Sequence, residues 1–233
     1  MTEETKQQLR LWANTFHSPD FIADDPVRFP HRFHRKQDVE ISGMLTAILS
    51  FGNRKQILAK AEELHMLMGG SPYDYVVSGV WKEHFPPARK SFYRMLDYTD
   101  IRSVFALLHD AYRCCPDLEE VLLAYSGSPM ERLCTFMGVS ASSPQKKLNM
   151  FLRWMIRKHS SVDLGIWTHF HSRDLIIPLD THVCHMAYKL GLTSSVTYSL
   201  KNAKTITRAL AEVFPDDPCL GDFALFGSGV NKL

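Results

Sequence analysis

Between Val39 and Leu49 the chain carries apolar side chains almost all the way round a helix. Val39, Ile41, Met44, Leu45, Ile48 and Leu49 leave little polar surface to face water. A helix of this kind is buried on most sides, so other elements must wrap it. Candidates follow in the sequence. Ile57, Leu58, Ala61, Leu64, Leu67 and Met68 recur at helical spacing and are stopped by Gly69 and Gly70. Ile101, Val104, Phe105, Leu108, Ala111 and Tyr112 form another stripe, which ends near Pro116. Further helices are expected around 117–125, 129–137, 144–158, 180–190, 199–214 and 221–229, with "GGSPYD", "SGSP" and "SASSP" as punctuation. No useful stretch alternates with the period of two that a half-buried strand needs, and there is no internal repeat. The fold class is all-α. We read 1–233 as a single two-lobed helical domain, with interleaved lobes at roughly 38–115 and 117–233.

A chain of 233 residues is long enough to bury a sizeable core. Its 45% hydrophobic and 22% charged residues are ordinary globular values. No apolar run reaches membrane-spanning length, and "MTEETKQQLR" lacks the apolar core of a secretory signal, so the expectation is a soluble cytoplasmic protein with no membrane partner. A net charge of +2 neither requires nor excludes nucleic acid. The five cysteines, Cys114, Cys115, Cys134, Cys184 and Cys219, are scattered and include no CxxC, which argues against a disulfide framework, a structural zinc or an iron–sulfur cluster.

Two stretches carry chemistry. In "PLDTHVCHMAYKLGL" an apolar approach runs straight into an acid, with a helical pattern immediately behind it. Asp180 or Thr181 is the N-cap, since either side-chain oxygen can accept from the open N–H groups of the first turn. In "GVSASSPQKKLNMFLRWMIRKH", Pro144 suits a first helical turn capped by Ser142 or Ser143. Leu148, Phe151, Leu152, Met155 and Ile156 form the buried face of that helix. Lys146, Lys147, Arg153, Arg157 and Lys158 are its basic remainder, either a solvated face or one turned towards phosphates.

Together these stretches resemble the helix-hairpin-helix DNA glycosylase superfamily, which includes endonuclease III and the 8-oxoguanine glycosylases. "KKLNMFL" matches the superfamily's lysine-bearing helix and "PLDTHV" its Asp-Thr-His segment. The resemblance implies a nucleophilic lysine at Lys146, with Lys147 as the fallback, and a catalytic aspartate at Asp180. "LSFGNRKQILAKAEEL" is similar to the segment that pushes a polar residue into DNA, which implies Asn53 at the vacated base and Arg54 and Lys55, with Lys147, near phosphates. The archaeal 8-oxoguanine branch grips its base with an acid and an aromatic one turn apart, a spacing kept here by Asp222 and Phe226. The resemblance spans about residues 38–230. More closely, the chain resembles a bacterial family of unassigned function sharing the "PLDTHV" and "DFALFG" signatures.

Three features depart from the superfamily. "SSPQ" replaces the hairpin glycines, Lys146 and Asp180 stand 34 positions apart, and the C-terminal cysteine cluster of endonuclease III is missing. The stretched spacing favours the archaeal branch. The implied activity is glycosylase and AP lyase on double-stranded DNA with a damaged base, by a monomer needing no cofactor. An oxidised purine such as 8-oxoguanine is the first candidate, with Arg153, Asp222 and Phe226 as the base pocket. Trp154, Trp167 and Phe170 could also line a pocket, although core packing is the commoner use of such rings. The rival is a non-catalytic DNA- or RNA-binding helical module. A zinc enzyme using His182 and His185, or His31 and His34, lacks an accompanying carboxylate pattern. Whether Lys146 and Asp180 converge separates the first two readings.

Overall fold

The computed structural model describes residues 1–230, the side chains of 228–230 excepted. Its fold is all-α. The N-terminal stretch forms α1 (Glu3–Phe16) and a short α2 (Asp20–Ala23). Residues 25–125 contain α3 (Lys36–Leu49), α4 (Arg54–Met68), α5 (Pro72–Ser78), α6 (Trp81–His84), strands β1 (Ser91–Tyr93) and β2 (Leu96–Asp97), α7 (Tyr98–Cys114) and α8 (Leu118–Leu123). Beyond them come α9 (Pro129–Phe136), α10 (Lys146–Ile156), α11 (Thr181–Lys189), α12 (Leu200–Ala211) and α13 (Leu220–Val230). Among the described residues no helix is long and apolar enough to cross a membrane.

The chain divides into two compact units, one of residues 25–125 and one that joins 1–24 to 126–233. In the 25–125 unit α3 is the central element, and every residue from Asp38 to Leu49 is buried. Its buried acid, Glu40, accepts hydrogen bonds from the Tyr112 hydroxyl at 2.9 Å and the Leu118 N–H at 3.0 Å, which offsets its desolvation. The buried stripe of α4 is Ile57, Ala61, Leu64, His65 and Met68, whereas Leu67 faces out. His65 belongs inside because both ring nitrogens are used, Nδ1 donating to the Ala61 carbonyl and Nε2 accepting from the Ser42 hydroxyl, each at 2.7 Å. The β1–β2 hairpin has no counterpart in the sequence reading. Its strands are too short to show a period, and Arg94 turns the corner at a φ of 55°.

In the other unit α1 and α11 pack on α13, so the two chain ends share one core. Gly227 makes the α1 contact possible, since a Cβ there would lie 2.2 Å from Phe16 Cγ. Trp154, Trp167 and Phe170 are core residues, and Phe151 meets Trp167 edge-on. The apolar approach "LIIPL" is buried but forms no strand. Its Ile177 N–H donates to Thr207 Oγ1 on α12 rather than to a sheet neighbour.

Candidate active site

Asp180 is the N-cap of α11. The buried segment 175–179 delivers it in extended conformation, and its Oδ1 accepts from the Val183 N–H at 2.9 Å. Thr181, the other candidate cap, is the first residue of the helix. The second carboxylate oxygen of Asp180 turns to a different helix, where Oδ2 lies 3.1 Å from Lys146 Nζ. The two residues that the resemblance pairs are therefore in direct contact.

Helix α10 begins at Lys146, two residues later than Pro144 suggests, and neither Ser142 nor Ser143 caps it. Gln145 is the N-cap, in left-handed conformation at φ 43°, ψ 49°, with its side chain reaching back to the Ser140 carbonyl. Left-handed backbone is unfavourable for a residue with a Cβ. Here it closes the turn that the superfamily makes with glycine. Asn149, wholly buried, holds that turn from behind by donating from Nδ2 to the Pro144 carbonyl at 2.9 Å. The asparagine of "KKLN" thus acts on the hairpin's shape.

The two lysines differ. Lys146 is half-buried and faces Asp180; burial holds the Lys147 ammonium below the usual lysine range. Contact with the acid and desolvation fall on neighbouring residues.

The basic remainder of α10 is not a solvated stripe. Arg153 and Arg157 are 6% and 1% exposed. Arg153 bonds Asp222 Oδ2 through Nη1 at 2.7 Å and Asp163 through Nε at 3.3 Å. Arg157 bonds Asp163 and, at 2.8–3.0 Å, Asp217. The Phe223 ring lies under both guanidinium groups, 4.5 and 5.2 Å from their carbons. Acids on a loop and on α13 take these arginines inside, which periodicity along α10 alone does not reveal. Neither arginine is turned towards phosphates; Lys158 remains exposed.

The expected base pocket is altered for the same reason. Arg153 and Asp222 are brought together, but as a buried pair, and neither faces solvent. Phe226 has its ring edge-on to Phe21, and Phe223 is the aromatic beside the pair. Asp222 keeps one buried oxygen, Oδ1, with no hydrogen-bond partner. Burial, only partly opposed by Arg153, pushes its carboxyl up to about 6, and Asp180 and Lys146 are near enough to contribute in opposite directions. Lys146, Asp180, Arg153 and Asp222 are one electrostatic cluster.

Asn53 caps α4 in the 25–125 unit, its Oδ1 accepting from the Lys55 and Gln56 N–H groups. That capping occupies the side-chain oxygen expected at a vacated base. Arg54 and Lys55 are exposed. Among the described residues no three His, Cys, Asp or Glu side chains gather as a metal ion requires. His182 and His185 share an open cavity of about 460 Å³ with Met186, Tyr188 and Lys189. The five cysteines are free thiols.

A family model described as "Protein of unknown function (DUF2400)" matches residues 25–231. The chain belongs to that family. Its matched span holds the whole 25–125 unit and, in the other unit, Lys146, Asp180, Arg153 and Asp222, while α1 precedes it. No curated protein and no solved structure matches the chain.

The sequence reading missed Tyr198. Its hydroxyl accepts from the Lys146 backbone N–H, and it feels the Asp180 charge. It lies between α11 and α12, where no periodicity marks it out.

Proposed function

We propose that this protein is a DNA glycosylase with AP lyase activity of the helix-hairpin-helix kind, a cytoplasmic enzyme working on damaged duplex DNA. One observation carries the reading: Lys146 Nζ and Asp180 Oδ2, 34 residues apart in the chain, stand 3.1 Å from each other. An unperturbed lysine is protonated at neutral pH, its pKa being ~10.4, and needs a base before it can attack. The Asp180 carboxylate is within reach of that proton. The freed amine attacks C1′ of the extruded nucleotide, the glycosidic bond breaks, and the base leaves with its electron pair and takes up a proton. Negative charge at Asp180 stabilises the cationic sugar as it develops. Opening of the sugar ring yields the imine. Loss of a C2′ proton then expels the 3′ phosphate by β-elimination.

An oxidised purine, 8-oxoguanine first, remains the proposed substrate class. Its support is the resemblance and the unpartnered Asp222 Oδ1, an acceptor for a base N–H. The burial of Arg153 and Asp222 adds a condition, because a base reaches them only when their surroundings part. The rival reading, a non-catalytic DNA- or RNA-binding module, draws on Asp180 Oδ1 serving as a helix cap.

Borohydride trapping decides between them. Wild-type chain with duplexes carrying 8-oxoguanine, thymine glycol, 3-methyladenine or an abasic site should give a covalent adduct. Lys146→Ala should abolish it, and Asp180→Asn should slow it while leaving binding intact. Loss of trapping in Lys147→Ala but not in Lys146→Ala would move the nucleophile by one residue. Duplex binding without any adduct would leave the binding module. Faster release of thymine glycol or 3-methyladenine than of 8-oxoguanine would overturn the substrate class.

A further inference from the structure

Helix α10 starts without a side-chain cap from its own N-cap residue, because the Gln145 side chain is turned back to Ser140. The first N–H of the helix, that of Lys146, goes to the Tyr198 hydroxyl. Tyr198 therefore supplies from a distant loop what Ser or Asp usually supplies locally.

The loop is held in place from below. Asn202 on α12 is 4% exposed. Its Nδ2 lies 3.0 Å from both the Ser195 and the Thr197 carbonyls, and its Oδ1 accepts from Thr193 Oγ1 at 2.6 Å. The same Nδ2 is 3.2 Å from Cys184 Sγ on α11, the helix that Asp180 caps. One buried amide thus ties the segment carrying Tyr198 to both helices beside it. Tyr198 itself is 53% exposed although its hydroxyl is engaged, so the ring makes up most of what faces water. A large apolar face kept open next to an ion pair costs free energy unless something covers it. Asp180 and Asp222 are the acids facing this end of α10.

We propose that Tyr198 is a working residue of the Lys146–Asp180 site: its hydroxyl positions the Lys146 end of α10 against Asp180, and its ring is the contact surface for an unpaired nucleobase of bound DNA. The ring's ligand rests on the glycosylase reading; the hydroxyl's part does not. Base–aromatic stacking is tolerant of sequence, which suits a residue that meets whichever nucleotide flanks the target.

Two variants of the full chain separate the parts. Tyr198→Phe removes only the oxygen and Tyr198→Ala removes ring and oxygen, with thermal unfolding checking that both fold. The first readout needs no DNA: reductive methylation of Lys146, followed by mass spectrometry across pH. Both variants should shift the Lys146 profile by half a pH unit or more while leaving that of exposed Lys158 in place. The second pairs the borohydride trapping rate with anisotropy-measured affinity for a duplex containing an abasic site. Tyr198→Phe should slow trapping at least fivefold with affinity within twofold of wild type, and Tyr198→Ala should also weaken affinity ~5- to 150-fold, the range for one stacked base. Unchanged methylation profiles in both variants would overturn the positioning role, and unchanged affinity in Tyr198→Ala would overturn the contact surface. If wild-type chain neither binds nor traps DNA, the glycosylase reading and the ring's ligand fall together, and the methylation profile alone decides the hydroxyl's role.

Discussion

Asp222→Asn should remove a pH dependence of stability that runs opposite to the usual one for an acid. A surface or salt-bridged aspartate is easier to ionise in the folded protein, so it contributes stability above its pKa. Asp222 is pushed the other way, from an ordinary 3.8 up to about 6, by burial that the Arg153 guanidinium only partly offsets. Between those two values the folded chain binds more protons than the unfolded one, so stability falls as pH rises. A difference of roughly two units at 1.36 kcal/mol each makes the total swing ~3 kcal/mol, of which ~2–3 falls between pH 4 and 8. The wild-type stability should therefore decline by that amount relative to Asp222→Asn over the range, flattening above pH 7. Urea unfolding of both proteins at half-unit intervals measures the difference curve, in which groups common to the two cancel. Parallel curves would show that Asp222 is not perturbed. A curve that rises with pH would show that the 2.7 Å contact with Arg153 outweighs burial, and Asp222 would then carry no proton near neutrality.

Three further outcomes follow from the geometry. His65 is held by burial at about 4, so the stability from its neutral ring is complete above pH 6.5 and lost as pH falls towards 4; an NMR titration of its ring should show a midpoint near 4, and one near 6.5 would refute the buried placement. Lys146→Ala should change stability by less than ~1 kcal/mol, because an ion pair with this much solvent contact contributes little, and a larger loss in urea unfolding would make the pair structural. Gly227→Ala should destabilise by ~1–3 kcal/mol through its clash with Phe16, and Phe16→Leu in the same chain should recover part of that loss; no recovery would place the strain elsewhere.

The helices themselves were legible because their cause is local. The period of apolar residues, the stops at Gly69 and Pro116 and the cap at Asp180 all act within a turn or two of where they are written. The same local signals misplaced residues whose partners are remote. Leu67 was assigned to the buried stripe and His65 was not, because Ser42, which accommodates the imidazole, lies on another helix. Arg153 and Arg157 were counted with a basic face, because Asp163, Asp217 and Asp222 are sequence-distant acids that repay their desolvation. Asn53 carried a cap signal that was read as a contact to DNA.

By itself, then, the sequence determined the all-α class, most helix positions, and a lysine and an aspartate with the residue types and contexts of a catalytic pair. Only the tertiary structure decided that Lys146 and Asp180 touch, that Arg153 and Asp222 are sealed together behind them, and that Tyr198 stands at the start of α10. The reason is one of range. Helix formation and capping are settled by neighbours along the chain, whereas burying a charge is decided by a partner that any other element may bring.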